Sequence, residues 1–190
     1  MRPKLLLLVG ATGVGKNTLI AHLSALDSRF ILIPTYTTRQ SRHNETEKIS
    51  VSDETMDMML ANGELLEPNI IYNHRYATPK HMIVETLNKD SFPVTDWVIF
   101  QERMQLMRAF LGDRLFTVYV SPPSLEHLKE RLSADGRDKD GKRFRIASDE
   151  LRRFSAGEFE GFYDLQVVND HGQQGECATT ILTAYSRAIT

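Results

Sequence analysis

The chain has 190 residues, 41% of them hydrophobic and 25% charged, with a formal net charge of −2 at pH 7. That length suits one domain with small insertions, and the charge balance excludes the basic footprint of bulk nucleic-acid binding. A single cysteine, Cys177, excludes an internal disulfide and suits a reducing, cytoplasmic compartment. The apolar run from Leu5 to Val9 is too short for a signal-peptide core or a membrane span, and it reads as a central parallel strand. Leu19, Ile20, Leu23 and Leu26 then repeat at helical spacing. FILIP (30–34) is a second strand, and DWVIF (96–100) and LFTVYV (115–120) are two more, with a helix between them around Met104, Leu106, Met107 and Phe110. Ser124 N-caps a helix that turns Leu125, Leu128 and Leu132 to one face. DLQVVN (164–169) is the last strand, followed by a helix over 176–189 with Ile181, Leu182 and Tyr185 inward.

Two stretches break this rhythm. Residues 35–90 hold short strand-like pieces, an Asn62-Gly63 turn and a small helix with Met56, Met58 and Met59. Residues 133–149 carry two glycines and dense mixed charge, as a mobile flap does. Strands alternating with helices predict an α/β fold with a parallel sheet covered on both faces. The expected division is a core of 1–34, 91–132 and 150–190, an insertion at 35–90 and a lid at 133–149.

The strongest local signal is GATGVGKNTL, residues 10–19. Gly10, Gly15 and Lys16 match the phosphate-binding pattern G-x-x-x-x-G-K-[ST] everywhere but the last position, where Asn17 replaces the hydroxyl. The segment follows a strand and opens a helix, as the motif requires. Gly10, Ala11, Thr12, Gly13, Val14 and Gly15 would wrap backbone N–H groups around phosphate oxygens, and the helix start adds partial positive charge. Lys16 would reach the β- and γ-phosphates of a nucleotide. The amide oxygen of Asn17 and the hydroxyl of Thr18 are candidate Mg²⁺ contacts, directly or through water. TYTTRQSR (35–42) is a second, donor-rich segment, with Arg39 and Arg42 suited to bidentate phosphate contacts. The six histidines form no metal-ligand pattern, and Trp97 reads as core. His74 and Arg75 lie beside the segment expected to hold the acceptor.

In order along the chain come the glycine loop, T-T-R-x-x-R, L-L-E (65–67), Y-A-T-P-K (76–80), P-P-S-x-x-x-L-x-x-R-L, the arginine-rich flap and V-V-N-D. This order resembles the guanylate kinases along nearly the whole chain. The resemblance implies a P-loop kinase fold with an inserted NMP-binding subdomain and a mobile lid. The implied reaction is phosphoryl transfer from MgATP to GMP, with these small molecules as partners, no nucleic acid or membrane, and a monomer or homodimer. By position, Arg39, Arg42 and Tyr76 are implied to clamp the acceptor phosphate, and Thr35, Glu67 and Thr78 to meet the base. Arg137 and one of Arg152 or Arg153 are implied to close on the transferred group. Two departures stand out. Lys48 falls where the family has a tyrosine on the acceptor phosphate. Val98 and Phe100 fall where it has two carboxylates, with Gln101 or Glu102 as substitutes if a gap is opened. These departures leave two alternatives: a kinase for another phosphorylated acceptor such as ribose 1,5-bisphosphate, or a catalytically weak interaction module. The intact glycines and lysine of the loop favour an enzyme.

Overall fold

A computed structural model describes residues 1–40, 45–66, 68–98, 101–136, 138 and 140–190. In chain order the first elements are β1 (Leu5–Val9), α1 (Lys16–Leu26), β2 (Phe30–Leu32), β3 (Thr35–Thr37), β4 (Lys48–Ser50) and α2 (Asp53–Ala61). Next come β5 (Asn69–Ile71), β6 (His74–Ala77), α3 (Lys80–Asn88), β7 (Phe92–Trp97) and α4 (Gln101–Leu111). A 3₁₀ turn (Gly112–Arg114) leads to β8 (Leu115–Ser121), α5 (Leu125–Ala134), α6 (Lys142–Ser155), β9 (Leu165–Val168) and α7 (Gln174–Ala188).

β1 is the middle strand of a five-stranded parallel sheet in the order β2-β7-β1-β8-β9. Its side chains alternate between two cores, because successive residues of a strand point to opposite faces. Leu6 and Leu8 pack with Leu19, Leu23, Ile181 and Tyr185 of α1 and α7. Leu5, Leu7 and Val9 pack with Ile83, Leu87, Met104 and Met107 of α3 and α4. Both faces are covered, so the strand is apolar throughout rather than alternating. No helix among the described residues is long and apolar enough to cross a membrane.

A second sheet, in the order β4-β3-β6-β5, stands beside the first and packs against α2 through Met56, Leu65 and Ala77. Ser52 N-caps α2 by accepting from the Thr55 N–H at 3.1 Å, and Asn62 and Gly63 close its far end. β5 and β6 form a hairpin whose two-residue turn, Tyr72-Asn73, has positive φ at both positions. That is the geometry two-residue hairpins require, and it is strained for a tyrosine.

Three sequence expectations are corrected here. The strand expected at 96–100 is β7, four residues earlier at its start, because Pro93, Thr95 and Asp96 interrupt its apolar pattern. α3, expected within the insertion, packs Ile83 and Leu87 into the core of the main sheet. The second half of the expected flap is the start of α6, whose N-terminal N–H groups at Arg143 and Phe144 donate to the Asp138 carboxylate at 2.8 and 3.0 Å.

Candidate active site

The glycine loop crosses from β1 to α1 at the carboxyl edge of the main sheet. Gly15, the N-cap of α1, has φ +90, and a Cβ there would lie 2.5 Å from the amide nitrogen of Asn169. That same nitrogen donates to the Val14 carbonyl at 2.7 Å, so the loop is held from behind by a residue just past β9. Gly10 is as constrained, since a Cβ would meet the Val120 carbonyl oxygen at 2.3 Å. No side chain caps the start of α1, which leaves its first N–H groups for an anion. Ala11 and Val14 are buried in the core, so they can offer a ligand only backbone. Thr12, Gly13, Lys16, Asn17 and Thr18 line a cleft of about 1070 Å³.

Lys16 is 7% exposed, and its ammonium donates to the Gly10 and Ala11 carbonyls at 2.5 and 3.0 Å. Burial pulls its pKa down, against the raising effect of Asp96 and Glu150. Asp96, at the end of β7, is the carboxylate that the sequence reading missed. It faces the cleft and accepts from the Lys48 ammonium at 3.3 Å. Burial opposes its ionisation, but Lys48 and Lys16 together outweigh that and hold its pKa below the usual range. Of the four positions expected to supply or replace carboxylates here, Val98 lines the cleft without charge and Glu102 is exposed on α4. Phe100 lies outside the described residues, as does the Gln101 side chain.

The inserted sheet forms the opposite wall. Arg39, Tyr76, His74 and Thr35 line it. Arg39 donates to both oxygens of Glu45 at 2.5 and 2.7 Å. Among the described residues, the buried Thr35 hydroxyl has no partner, nor does the Asn69 amide nitrogen on β5. Thr78 is turned away: it is fully buried outside the cleft lining, and its hydroxyl accepts from the Trp97 indole at 2.8 Å. Arg75 binds Asp53 and Asp57 on α2 instead of facing the cleft. Arg42 and Glu67 lie outside the described residues.

The third wall is α5 and α6. Here the arginines at hand are Arg131 and Arg143, not Arg152 and Arg153. Arg143 donates to Thr12 of the glycine loop at 3.0 Å and to Asp135 at 2.6 Å. Arg131 donates to the Asn169 carbonyl at 2.9 Å. Arg152 pairs with Asp149 on the exposed face of α6, and Arg153 pairs with Glu158 over the Phe159 ring. Neither lines the cleft; both lie a helical turn or more beyond Arg143 along α6. Arg137 lies outside the described residues. Beneath α6, Glu150 is 5% exposed, and neither carboxylate oxygen has a partner among the described residues. Burial pushes its pKa up to about 7, against the opposing pull of Lys16 and Arg153. Phe154, one turn on, stacks flat on Tyr119 of β8 at 3.9 Å and fixes this half of the helix to the sheet.

A parallel sheet with a phosphate loop on its middle strand, facing an inserted sheet and a basic helix pair across one cleft, is the architecture of a P-loop kinase. Comparison narrows this. A family model described as guanylate kinase matches residues 2–178, and the chain belongs to the guanylate kinase family. The chain is 37% identical over 138 residues to a guanylate kinase of Streptomyces coelicolor, covering 71% of this chain and 68% of that one. It is 32% identical over 184 residues to a guanylate kinase of Sphingopyxis alaskensis, covering 93% and 78%. The crystal structure of guanylate kinase from Anaplasma phagocytophilum has the same fold, with a TM-score of 0.72 at 20% identity over 99% of this chain and 87% of that one.

Proposed function

We propose that this chain transfers the γ-phosphoryl group of ATP to GMP, giving ADP and GDP. The observation that carries the reading is the cleft itself. Its nucleotide-loop wall and its arginine-bearing inserted wall enclose one cleft, and the cations Lys16, Lys48, Arg131 and Arg143 all line it. Phosphoryl transfer asks for little covalent help and much positioning and positive charge.

In this reading the loop N–H groups and Lys16 hold the ATP phosphates. Arg39, Arg42 and Tyr76 take the acceptor phosphate, which displaces Glu45 from Arg39. Thr35 and Glu67 meet the base. An oxygen of the acceptor phosphate attacks the γ-phosphorus while the bond to the ADP oxygen breaks, and Arg131 and Arg143 balance the charge spread over the moving group. Asn17 and Thr18 offer the oxygen donors that Mg²⁺ takes and would hold it. Bound there, the ion would neutralise negative charge on the ATP phosphates. We place the enzyme in the cytoplasm, where its lone thiol suits the redox environment, working on small molecules as a monomer or homodimer.

The test is ADP release across GMP, dGMP, AMP, CMP, UMP and ribose 1,5-bisphosphate. GMP should exceed AMP by at least about a hundredfold in kcat/KM, because a site built to bond a base edge leaves its groups unpaired with the wrong base. Glu67→Gln should lose that preference. Equal turnover of AMP, or turnover of the base-free sugar phosphate alone, would overturn the reading.

A further inference from the structure

The glycine-loop helix and the inserted sheet are joined by a direct hydrogen bond at the one loop position that departs from the motif. The Asn17 amide nitrogen donates to Glu47 Oε1 at 2.8 Å. An ionised carboxylate only accepts, so the Asn17 amide must turn its NH₂ toward Glu47, which leaves its own oxygen uncommitted. Among the described residues, the second oxygen of Glu47 accepts only from the adjacent Thr46 N–H, at 3.2 Å.

The other carboxylates lining the cleft each have a cation. Glu45 has Arg39, Asp96 has Lys48, Asp135 has Arg143 and Asp140 has Lys142. Glu47 has none among the described residues, although it lines the same cleft. A carboxylate with no cationic partner, beside the position where the motif keeps its metal-binding hydroxyl, is set up for an ion that arrives with the nucleotide.

We propose that Glu47 is the charged part of the metal arm, holding Mg²⁺ together with the Asn17 amide oxygen, directly or through a bound water. Mg²⁺ is a hard cation, bound in such sites by one or two carboxylates plus phosphate oxygens and waters. The neutral amide at position 17 is a modest ligand by itself, and Glu47 supplies the charge it lacks. Glu47 enters from the inserted sheet and Asn17 from α1, so the ion ties the acceptor wall to the nucleotide wall. This inference rests on the reading of the chain as an ATP-dependent kinase.

The experiment is a Mn²⁺ titration of the full chain with ADP bound, free Mn²⁺ being read by electron paramagnetic resonance, alongside calorimetric ADP binding in EDTA. Glu47→Gln should weaken Mn²⁺ binding to the protein–ADP complex about tenfold or more, with ADP affinity in EDTA unchanged. Glu47→Asp should fall between the parent and Glu47→Gln. An unchanged Mn²⁺ affinity in a variant that melts like the parent would overturn the proposal. So would equal weakening of ADP binding in EDTA, which would make Glu47 a latch between the walls. Failure of the parent to bind ADP at all would instead overturn the kinase reading.

Discussion

Glu150→Gln should stabilise the protein, and only at high pH. Glu150 sits under α6 with 5% of its surface exposed and no hydrogen-bond partner among the described residues for either oxygen. Its pKa rises from the ordinary 4.5 to about 7 because burial disfavours the charged form more than Lys16 and Arg153 favour it. Below pH 4.5 the carboxyl is protonated folded or unfolded and contributes no penalty. Between pH 4.5 and 7 the unfolded chain gives up a proton that the folded chain keeps, so stability falls as pH rises. Above pH 7 the folded group must ionise too and the penalty is complete. At about 1.4 kcal/mol per pH unit, it amounts to about 3 kcal/mol. Glutamine has the shape of the protonated acid and never ionises. Parent and variant should therefore melt nearly together at pH 4, and at pH 8.5 the variant should melt roughly 6–12 °C higher as an upper bound. The assay is thermal unfolding followed by circular dichroism across that range. A melting difference that stays constant with pH would refute the reasoning. A variant less stable at pH 8.5 would show that the ionised carboxylate is paired.

The remaining expectations concern neighbouring groups. Lys48→Met removes one of the two cations beside the partly buried Asp96 and should cost about 1–2 kcal/mol in denaturant unfolding, most of it recovered by adding Asp96→Asn. Tyr119→Phe removes a buried hydroxyl that has no partner among the described residues while keeping the ring stacked on Phe154, so stability should stay within about 0.5 kcal/mol of the parent or rise. Arg143→Ala should lower kcat/KM at least about a hundredfold. Arg152→Ala, which breaks only an exposed pair, should leave it near the parent value, as steady-state kinetics of the two variants will show.

What the sequence revealed and what it hid follow from the range of the interactions. The β1 run was legible because both its faces are buried, and the glycine loop because strand, turn and helix start are consecutive. The start of β7 was hidden by Pro93, and its cleft-facing Asp96 was read as part of an apolar strand. α6 was half hidden because its buried stripe includes Glu150 between Ala147 and Phe154, a charge where the pattern asks for an apolar residue. Asp96, Arg143 and Glu47 escaped notice, and Asn169 was noticed only as part of V-V-N-D, because all four act on partners distant in sequence. Thr78 shows the converse: its place in a motif suggested a base contact, yet it is buried outside the cleft lining, where its hydroxyl accepts from Trp97.

The bond from Asn169 to the Val14 carbonyl spans 155 residues. Protein synthesis proceeds from the amino end, so the glycine loop leaves the ribosome on the order of ten seconds before the residue that braces it. During that interval the loop has its glycines and its lysine but no rear support. A nascent chain should therefore hold nucleotide poorly until β9 docks. Because a ligand stabilises only the state that binds it, cellular ATP should favour the finished sheet over any partly made one. Binding of a fluorescent nucleotide to stalled nascent chains would then report the docking of β9, not the emergence of the motif.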